Sequence, residues 1–161
     1  MKFLVDSMLG KLTRFLRIFG YNAVYANELI DFFKKDPVPD ELLIEYASNN
    51  DRIIITKDLP LFMRYKEKSI LLNGEGIYNY LRQLNKQFGL KFEFNIKQAR
   101  CSICNSKLEK VKNKISIKND VLGETYNHFN EFYQCLNHQC RKVYWQGTHI
   151  EDIEEKLDKN L

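Results

Sequence analysis

The sequence lacks long apolar runs, and it has few of the residues that mark flexible linkers. Its 161 residues include 3 prolines and 7 glycines, and they contain no repeat and no low-complexity segment. No apolar stretch approaches the roughly 20 residues that a membrane-spanning helix needs. The apolar run within residues 1–6 is too short for a signal peptide, and a carboxylate interrupts it. We therefore expect a cytoplasmic protein that does not act at a membrane.

The composition is that of a folded protein with a mild basic bias. Hydrophobic residues make up 44% of the chain and aromatic residues 13%, which argues against disorder. The net charge of +4 is compatible with nucleic-acid binding. Residues 97–148 hold nine basic and four acidic side chains together with all four cysteines. We therefore predict three parts, namely an α/β domain at residues 1–95, a metal-binding ribbon at 96–149 and a C-terminal helix at 150–161.

Short apolar runs alternate with helical periodicity along the first 95 residues. The runs lie at residues 3–5, 23–25, 52–56 and 69–72, and the third is the β-branched kind typical of a strand buried on both faces. Between the runs, apolar residues recur at the spacing of amphipathic helices. This alternation predicts an α/β fold with a largely parallel sheet flanked by helices. In such sheets, binding sites form beyond the carboxyl ends of the strands.

Three aspartates are candidates for a site at that edge of the sheet. Asp6 ends the first predicted strand, Asp58 follows the third, and Asp40 begins the helix before the third strand. Carboxylates that converge at one edge repel one another unless a cation joins them. Mg²⁺ and Mn²⁺ prefer oxygen ligands of this kind. The three residues therefore predict a catalytic Mg²⁺ or Mn²⁺ site.

Each aspartate also has a purely structural interpretation. Asp6 can cap the end of its strand. Asp40 is a good helix N-cap, in which case Glu41 can take the acidic role. Asp58 can cap a helix that starts next to Pro60, because proline favours the first helical turn.

Three basic residues follow Asp6 on the first predicted helix. Arg14 and Arg17 are three positions apart, which puts them on one side of that helix. Guanidinium groups are always charged and bind phosphate with two hydrogen bonds, so the pair predicts a phosphate clamp. Lys11 is a further candidate for substrate binding. The alternative is a solvated helix face or a salt bridge to nearby carboxylates.

The four cysteines form two pairs with the spacing of a zinc site. Cys101 and Cys104 are separated by two residues, and Cys135 and Cys140 by four. Two such pairs around a β-rich stretch predict a closed tetrahedral Zn²⁺ site that stabilises the fold and carries no chemistry. His138 has good spacing from Cys135 and is the alternative fourth ligand. A redox-active cysteine pair would not explain the second pair.

Six stretches of the sequence carry a family resemblance. They are FLVDSMLGKL at residues 3–12, RFLR at 14–17, GY at 20–21, PDELL at 39–43, RIIITKD at 52–58 and VYWQGTH at 143–149. In this order they resemble the Mut-seven C-terminal RNase domain family, a PIN-like nuclease domain fused to a zinc ribbon. The resemblance implies RNA as the substrate and Asp6, Asp40 and Asp58 as the acidic metal site. PIN nucleases often have a fourth acid soon after the third, but here no acid follows Asp58 until Glu67.

These features together predict a metal-dependent ribonuclease that hydrolyses RNA phosphodiester bonds endonucleolytically. The alternative is a non-catalytic protein whose zinc ribbon binds RNA, or which joins an RNA-processing partner in an assembly. Aromatic residues of the ribbon such as Phe132 and Trp145 either stack on RNA bases or form the ribbon's small core.

Overall fold

A four-stranded parallel sheet forms the centre of the first domain. The computed structural model describes residues 1–159, except for the side chains at positions 148 and 149. The strands are β1 (Lys2–Val5), β2 (Asn22–Tyr25), β3 (Ile53–Thr56) and β4 (Ser69–Leu71). Their order in the sheet is β2-β1-β3-β4, and all three neighbouring pairs are parallel. The predicted α/β fold with a parallel sheet is therefore confirmed.

Helices cover both faces of this sheet. They are α1 (Gly10–Ile18), α2 (Ile30–Phe33), α3 (Asp40–Asn49), α4 (Leu59–Arg64) and α5 (Ile77–Phe88). Successive side chains of a strand point to opposite faces. Accordingly, Phe3 and Val5 pack in one hydrophobic cluster with residues of α1 and α5, whereas Leu4 packs in a second cluster with residues of α3 and α4. The two clusters hold the sheet between its helices.

The start of α3 differs from the prediction that Asp40 is an N-cap. Pro39 occupies the N-cap position with an extended backbone, and Asp40 is the first helical residue. No side chain caps this helix end by a hydrogen bond. The Asp40 carboxylate therefore lies in the first turn and is not engaged by the amides of its own helix.

The cysteine-rich segment, which was predicted to be β-rich, contains a small antiparallel sheet. Strands β5 (Leu108–Lys110), β6 (Tyr133–Cys135) and β7 (Val143–Tyr144) pair in that order. We call residues 96–149 the ribbon, with the bounds predicted from the sequence. Its core consists of Ile117, Phe132 and Val143, with Trp145 packed against them. Phe132 is thus a core residue and is not available to stack on RNA.

The ribbon also contains helical structure that its sequence pattern does not predict. A 3-10 turn (Lys114–Ile117) and α6 (Gly123–His128) lie between β5 and β6. Ile117 reaches the ribbon core from this turn and is fully buried there. The insertion therefore supplies part of the apolar surface that the three short strands lack.

The C-terminal helix packs back onto the first domain. The helix predicted at residues 150–161 corresponds to α7 (Thr148–Asp158), and residues 160–161 of that prediction lie outside the described residues. Helix α7 buries Ile153 and Leu157 in the same cluster as residues of α1 and α5. Its apolar stripe is therefore covered by the protein's own core. Within the described residues, every helix is too short or too polar to cross a membrane.

Candidate acidic site and cysteine centre

The register of the sheet brings Asp6 and Asp58 to the same edge. Val5 is paired with Ile55 across β1 and β3, and the backbone amide of Asp6 donates to the carbonyl of Ile55 at 2.9 Å. Asp58 follows the end of β3 by two residues. Both aspartates thus lie beyond the carboxyl ends of two central strands, where α/β sheets form their sites.

Thr56 links these two aspartates. Its hydroxyl donates to Oδ2 of Asp6 at 2.5 Å and accepts a hydrogen bond from the backbone amide of Asp58 at 2.8 Å. The other carboxylate oxygen of Asp6 accepts from the backbone amide of Ser7 at 2.6 Å. Thr56 is fully buried and Asp6 is 7% exposed, so the Asp6 carboxylate is held rigidly. Thr56 is not among the site residues predicted from the sequence, although a hydroxyl at the end of an apolar strand is a visible signal.

Asp58 caps helix α4, as its structural interpretation predicts. Its Oδ1 accepts a hydrogen bond from the backbone amide of Leu61 at 2.9 Å, and Pro60 lies in the first turn. This cap fixes the side chain by one oxygen. A capping role and a metal-binding role are compatible, because a carboxylate has two oxygens.

Asp40 shares a cavity of about 270 Å³ with Asp6 and Asp58. Burial raises the pKa of Asp40, and the negative charge of Asp58 raises it further, whereas the Arg64 guanidinium opposes the shift. The distance from Arg64 Nη1 to Asp40 Oδ2 is 3.5 Å. The Asp40 carboxyl therefore lies in a negative field that a cation would relieve.

Glu41 does not take the place of Asp40 in this cavity. Its carboxylate accepts a hydrogen bond from Nη2 of Arg64 at 2.8 Å, and it is absent from the described residues that line the cavity. Arg64 thereby holds Glu41 outside the cavity while it contacts Asp40.

The three aspartates do not form a compact ligand group like that of the four cysteines. Among the described residues, only the four cysteines form a group of potential metal ligands within 4.8 Å of one another. Mg²⁺ usually keeps several of its water ligands and binds one or two carboxylates directly. The cavity therefore fits a hydrated cation better than one that all three carboxylates ligate directly.

The three predicted basic residues have different environments. Lys11 and Arg14 are exposed on α1 and line a groove between this helix and the Cys101–Cys104 turn. Arg17, by contrast, is 2% exposed. Arg14 and Arg17 therefore do not present their guanidinium groups together to solvent, although they are three positions apart on the helix.

Arg17 joins the first domain to the ribbon. Its Nε donates to the carbonyl of Ala23 at 2.8 Å, and its Nη1 donates to the carbonyls of Ser102 and Ile103 at 3.1 and 2.9 Å. Its Nη2 donates to both carboxylate oxygens of Glu28 at 2.8 and 2.7 Å. These contacts occupy all five N–H donors of a guanidinium. The predicted phosphate clamp does not fit Arg17, which has no donor left for a phosphate.

The four cysteine sulfurs converge on one point. Their Sγ atoms lie within 4.8 Å of one another, with Cys101 to Cys140 at 3.7 Å and Cys104 to Cys135 at 3.4 Å. Zn–S bonds of about 2.3 Å in a tetrahedron place sulfurs about 3.8 Å apart. The centre is therefore compatible with zinc. His138 is not a member of this group.

The surroundings of the cysteines lower the pKa of one thiol and raise the pKa values of two others. Burial opposes ionisation of the Cys104 thiol, but hydrogen bonds with Ser106 and with its cysteine neighbours lower its pKa to about 6. Burial raises the pKa values of Cys135 and Cys140. A metal must displace protons from such thiols to bind them. Metal affinity at this centre should therefore decrease at acidic pH.

These features define the class of the protein: an α/β domain with an acidic cavity at the carboxyl edge of its sheet, joined to a four-cysteine ribbon. The chain belongs to the Mut7-C RNAse domain family, which it matches over residues 1–157. The resemblance stated from the sequence is thereby confirmed. Membership indicates a nuclease function with RNA as the substrate. No match was found among curated proteins.

Proposed function

We propose that this protein is a metal-dependent endoribonuclease whose site is the cavity formed by Asp6, Asp40 and Asp58. The observation that carries the proposal is the meeting of these three carboxylates in one cavity at the carboxyl edge of the sheet, in a chain of a ribonuclease family. One or two Mg²⁺ or Mn²⁺ ions are the expected cofactors, because oxygen-rich sites select hard cations.

The protein's own residues prepare this cavity for a cation. Thr56 and the Ser7 amide orient the Asp6 carboxylate, and the α4 cap orients Asp58. Asp40 has a raised pKa, so a bound cation would favour its ionised form. When bound, such an ion lowers the pKa of water and stabilises the charge that develops on a phosphodiester. PIN-like hydrolysis would leave a 5′-phosphate and a 3′-hydroxyl.

The other predicted sites complete the proposal. Lys11 and Arg14 would bind substrate phosphates near the cavity. Cys101, Cys104, Cys135 and Cys140 would hold a structural Zn²⁺, whose four thiolate ligands leave no open position for water. The proposed parts are a nuclease domain at residues 1–95, a zinc ribbon at 96–149 and a C-terminal helix at 150–161. A cytoplasmic location remains part of the proposal.

The test is cleavage of labelled single-stranded, hairpin and transfer-RNA-like substrates by zinc-replete protein. Each substrate is incubated with Mg²⁺, with Mn²⁺ or with no added divalent cation. The double variant Asp6→Asn/Asp58→Asn is compared with Asp31→Asn/Asp120→Asn, which removes two exposed carboxylates elsewhere. We expect cation-dependent cleavage that only the first variant loses. Full activity of a folded Asp6→Asn/Asp58→Asn variant would falsify the assignment.

One observation favours a second function, namely RNA binding without cleavage. The described residues that line the cavity include three acids, and no acid follows Asp58 before Glu67. A site with fewer carboxylates binds cations more weakly. RNA binding without cleavage on all of these substrates, with either cation, would support a role in an RNA-processing assembly.

A further inference from the structure

A groove of about 680 Å³ lies between helix α1 and the Cys101–Cys104 turn. We call this turn the knuckle. Lys11 and Arg14 line the groove from the α1 side, and Ser102 and Ile103 line it from the knuckle. Ile103 is 49% exposed although it is a large apolar residue. The groove thus has a basic wall and a partly apolar wall.

A hydrogen bond joins the lining of the groove to the lining of the acidic cavity. Ser7 lines the cavity and Tyr25 lines the groove, and the Tyr25 hydroxyl donates to the Ser7 carbonyl at 2.5 Å. Gly10 allows the Tyr25 ring to lie close to α1, because a Cβ at this position would be 3.1 Å from the Tyr25 hydroxyl. A nucleic-acid strand that leaves the cavity over Tyr25 therefore enters the groove.

The charge of the groove suits a polyanion. Among the described residues that line it, the only carboxylate is that of Glu28. Arg17 binds both oxygens of this carboxylate and so neutralises it. The same guanidinium occupies the carbonyls of Ser102 and Ile103, which would otherwise present partial negative charge. The charges that remain unbalanced are those of Lys11 and Arg14.

We propose that this groove binds the single-stranded RNA that extends from the acidic cavity, with the knuckle as one of its walls. Phosphates contact Lys11 and Arg14, and a base packs against Ile103. Single strands fit this arrangement because their unstacked bases can contact apolar side chains. The inference rests on the proposed ribonuclease function, and it gives the zinc ribbon a direct role in substrate binding.

Binding and its salt dependence test the basic wall. The full-length, zinc-replete protein is titrated with a labelled single-stranded oligoribonucleotide without Mg²⁺ or Mn²⁺, at several salt concentrations. Each phosphate contact to a single strand contributes about 0.7 to the slope of log affinity against log salt. The variant Lys11→Gln/Arg14→Gln should therefore lower the magnitude of this slope by about 1.4. The matched variant Lys86→Gln/Lys91→Gln loses the same charge outside the groove and should retain most of the slope.

Photocrosslinking tests the knuckle wall. A benzophenone amino acid is placed at Ile103, and as a control at Leu122, which is 79% exposed in the ribbon. We expect crosslinks to the RNA from position 103 well above those from position 122. Equal slopes for the two charge variants, or equal crosslinking at the two positions, would overturn the groove assignment even if the acidic cavity cleaves RNA. If the salt slopes and crosslinks are as expected but the protein does not cleave RNA with either cation, the groove assignment stands and the proposed ribonuclease chemistry is wrong.

Discussion

Replacing Arg17 by lysine tests whether this arginine is structural, in contrast to Arg14, which we propose binds substrate from the same helix. Lysine keeps the positive charge but has three donors in place of five, and it lacks the planar fork that matches a carboxylate. The change would break the bidentate contact with Glu28 and most of the contacts with three backbone carbonyls. A buried acceptor that is left without its donor costs about 1–3 kcal/mol. Buried and partly buried carbonyls lose donors here, whereas the Glu28 side chain is 38% exposed and is screened by solvent, so we expect a total loss of about 3 kcal/mol.

The assay is thermal and urea-induced unfolding of the zinc-replete protein. For a chain of this size, a loss of about 3 kcal/mol lowers Tm by about 6–12 °C. Arg14→Lys is the matched control, because Arg14 is exposed one turn earlier on α1, and it should change the unfolding free energy by less than about 0.5 kcal/mol. A stability loss below about 1 kcal/mol for Arg17→Lys, or equal losses for the two variants, would refute the structural role of Arg17.

Three further predictions concern the two proposed metal sites. Thr56→Val keeps the side-chain shape but removes the hydroxyl that binds the Asp6 carboxylate, and it should cost about 2–3 kcal/mol in urea unfolding; an unchanged midpoint would contradict the link. Protons compete with the cation for Asp40, whose pKa is raised, so Mn²⁺ affinity should fall as pH decreases through that raised value. Arg64→Gln removes the charge that lowers this pKa. Calorimetric titrations of the variant should therefore show the fall in Mn²⁺ affinity at a higher pH than in the wild-type protein. A fall at lower pH would be inconsistent with Asp40 as part of the site. In the ribbon, Cys140→Ala should lose the bound zinc and His138→Ala should retain one zinc per chain by elemental analysis; the reverse result would make His138 the ligand.

The sequence predicts the sheet well because local patterns determine it. The β-branched run before Asp58 has apolar side chains on both faces of a strand, which favours burial on both sides. The structure places this strand in the centre of the sheet. The cysteine spacing is equally informative, since few arrangements other than a tetrahedral centre explain two close pairs. Both features are visible within short segments of sequence.

The environment of Arg17 could not be predicted from helical spacing. Periodicity assigns Arg17 to a face of α1, but two of the carbonyls that it binds belong to residues 102 and 103, more than 80 positions further along the chain. The N-cap of α3 was predicted one residue too late for a different reason. Pro39 has the extended backbone of an N-cap, so Asp40 is already the first helical residue. Whether a charged side chain is exposed to solvent or buried against a distant part of the chain depends on tertiary packing, which a local sequence pattern does not predict.

The most direct test of the metal site is anomalous diffraction from crystals of the zinc-replete protein soaked in Mn²⁺. Data collected near the manganese and zinc absorption edges identify the two metals separately. We expect manganese in the cavity lined by Asp6, Asp40 and Asp58, and zinc between the four cysteines. Asp58→Asn should weaken the manganese peak and leave the zinc peak unchanged. An acidic cavity without manganese at saturating Mn²⁺ would contradict the central claim.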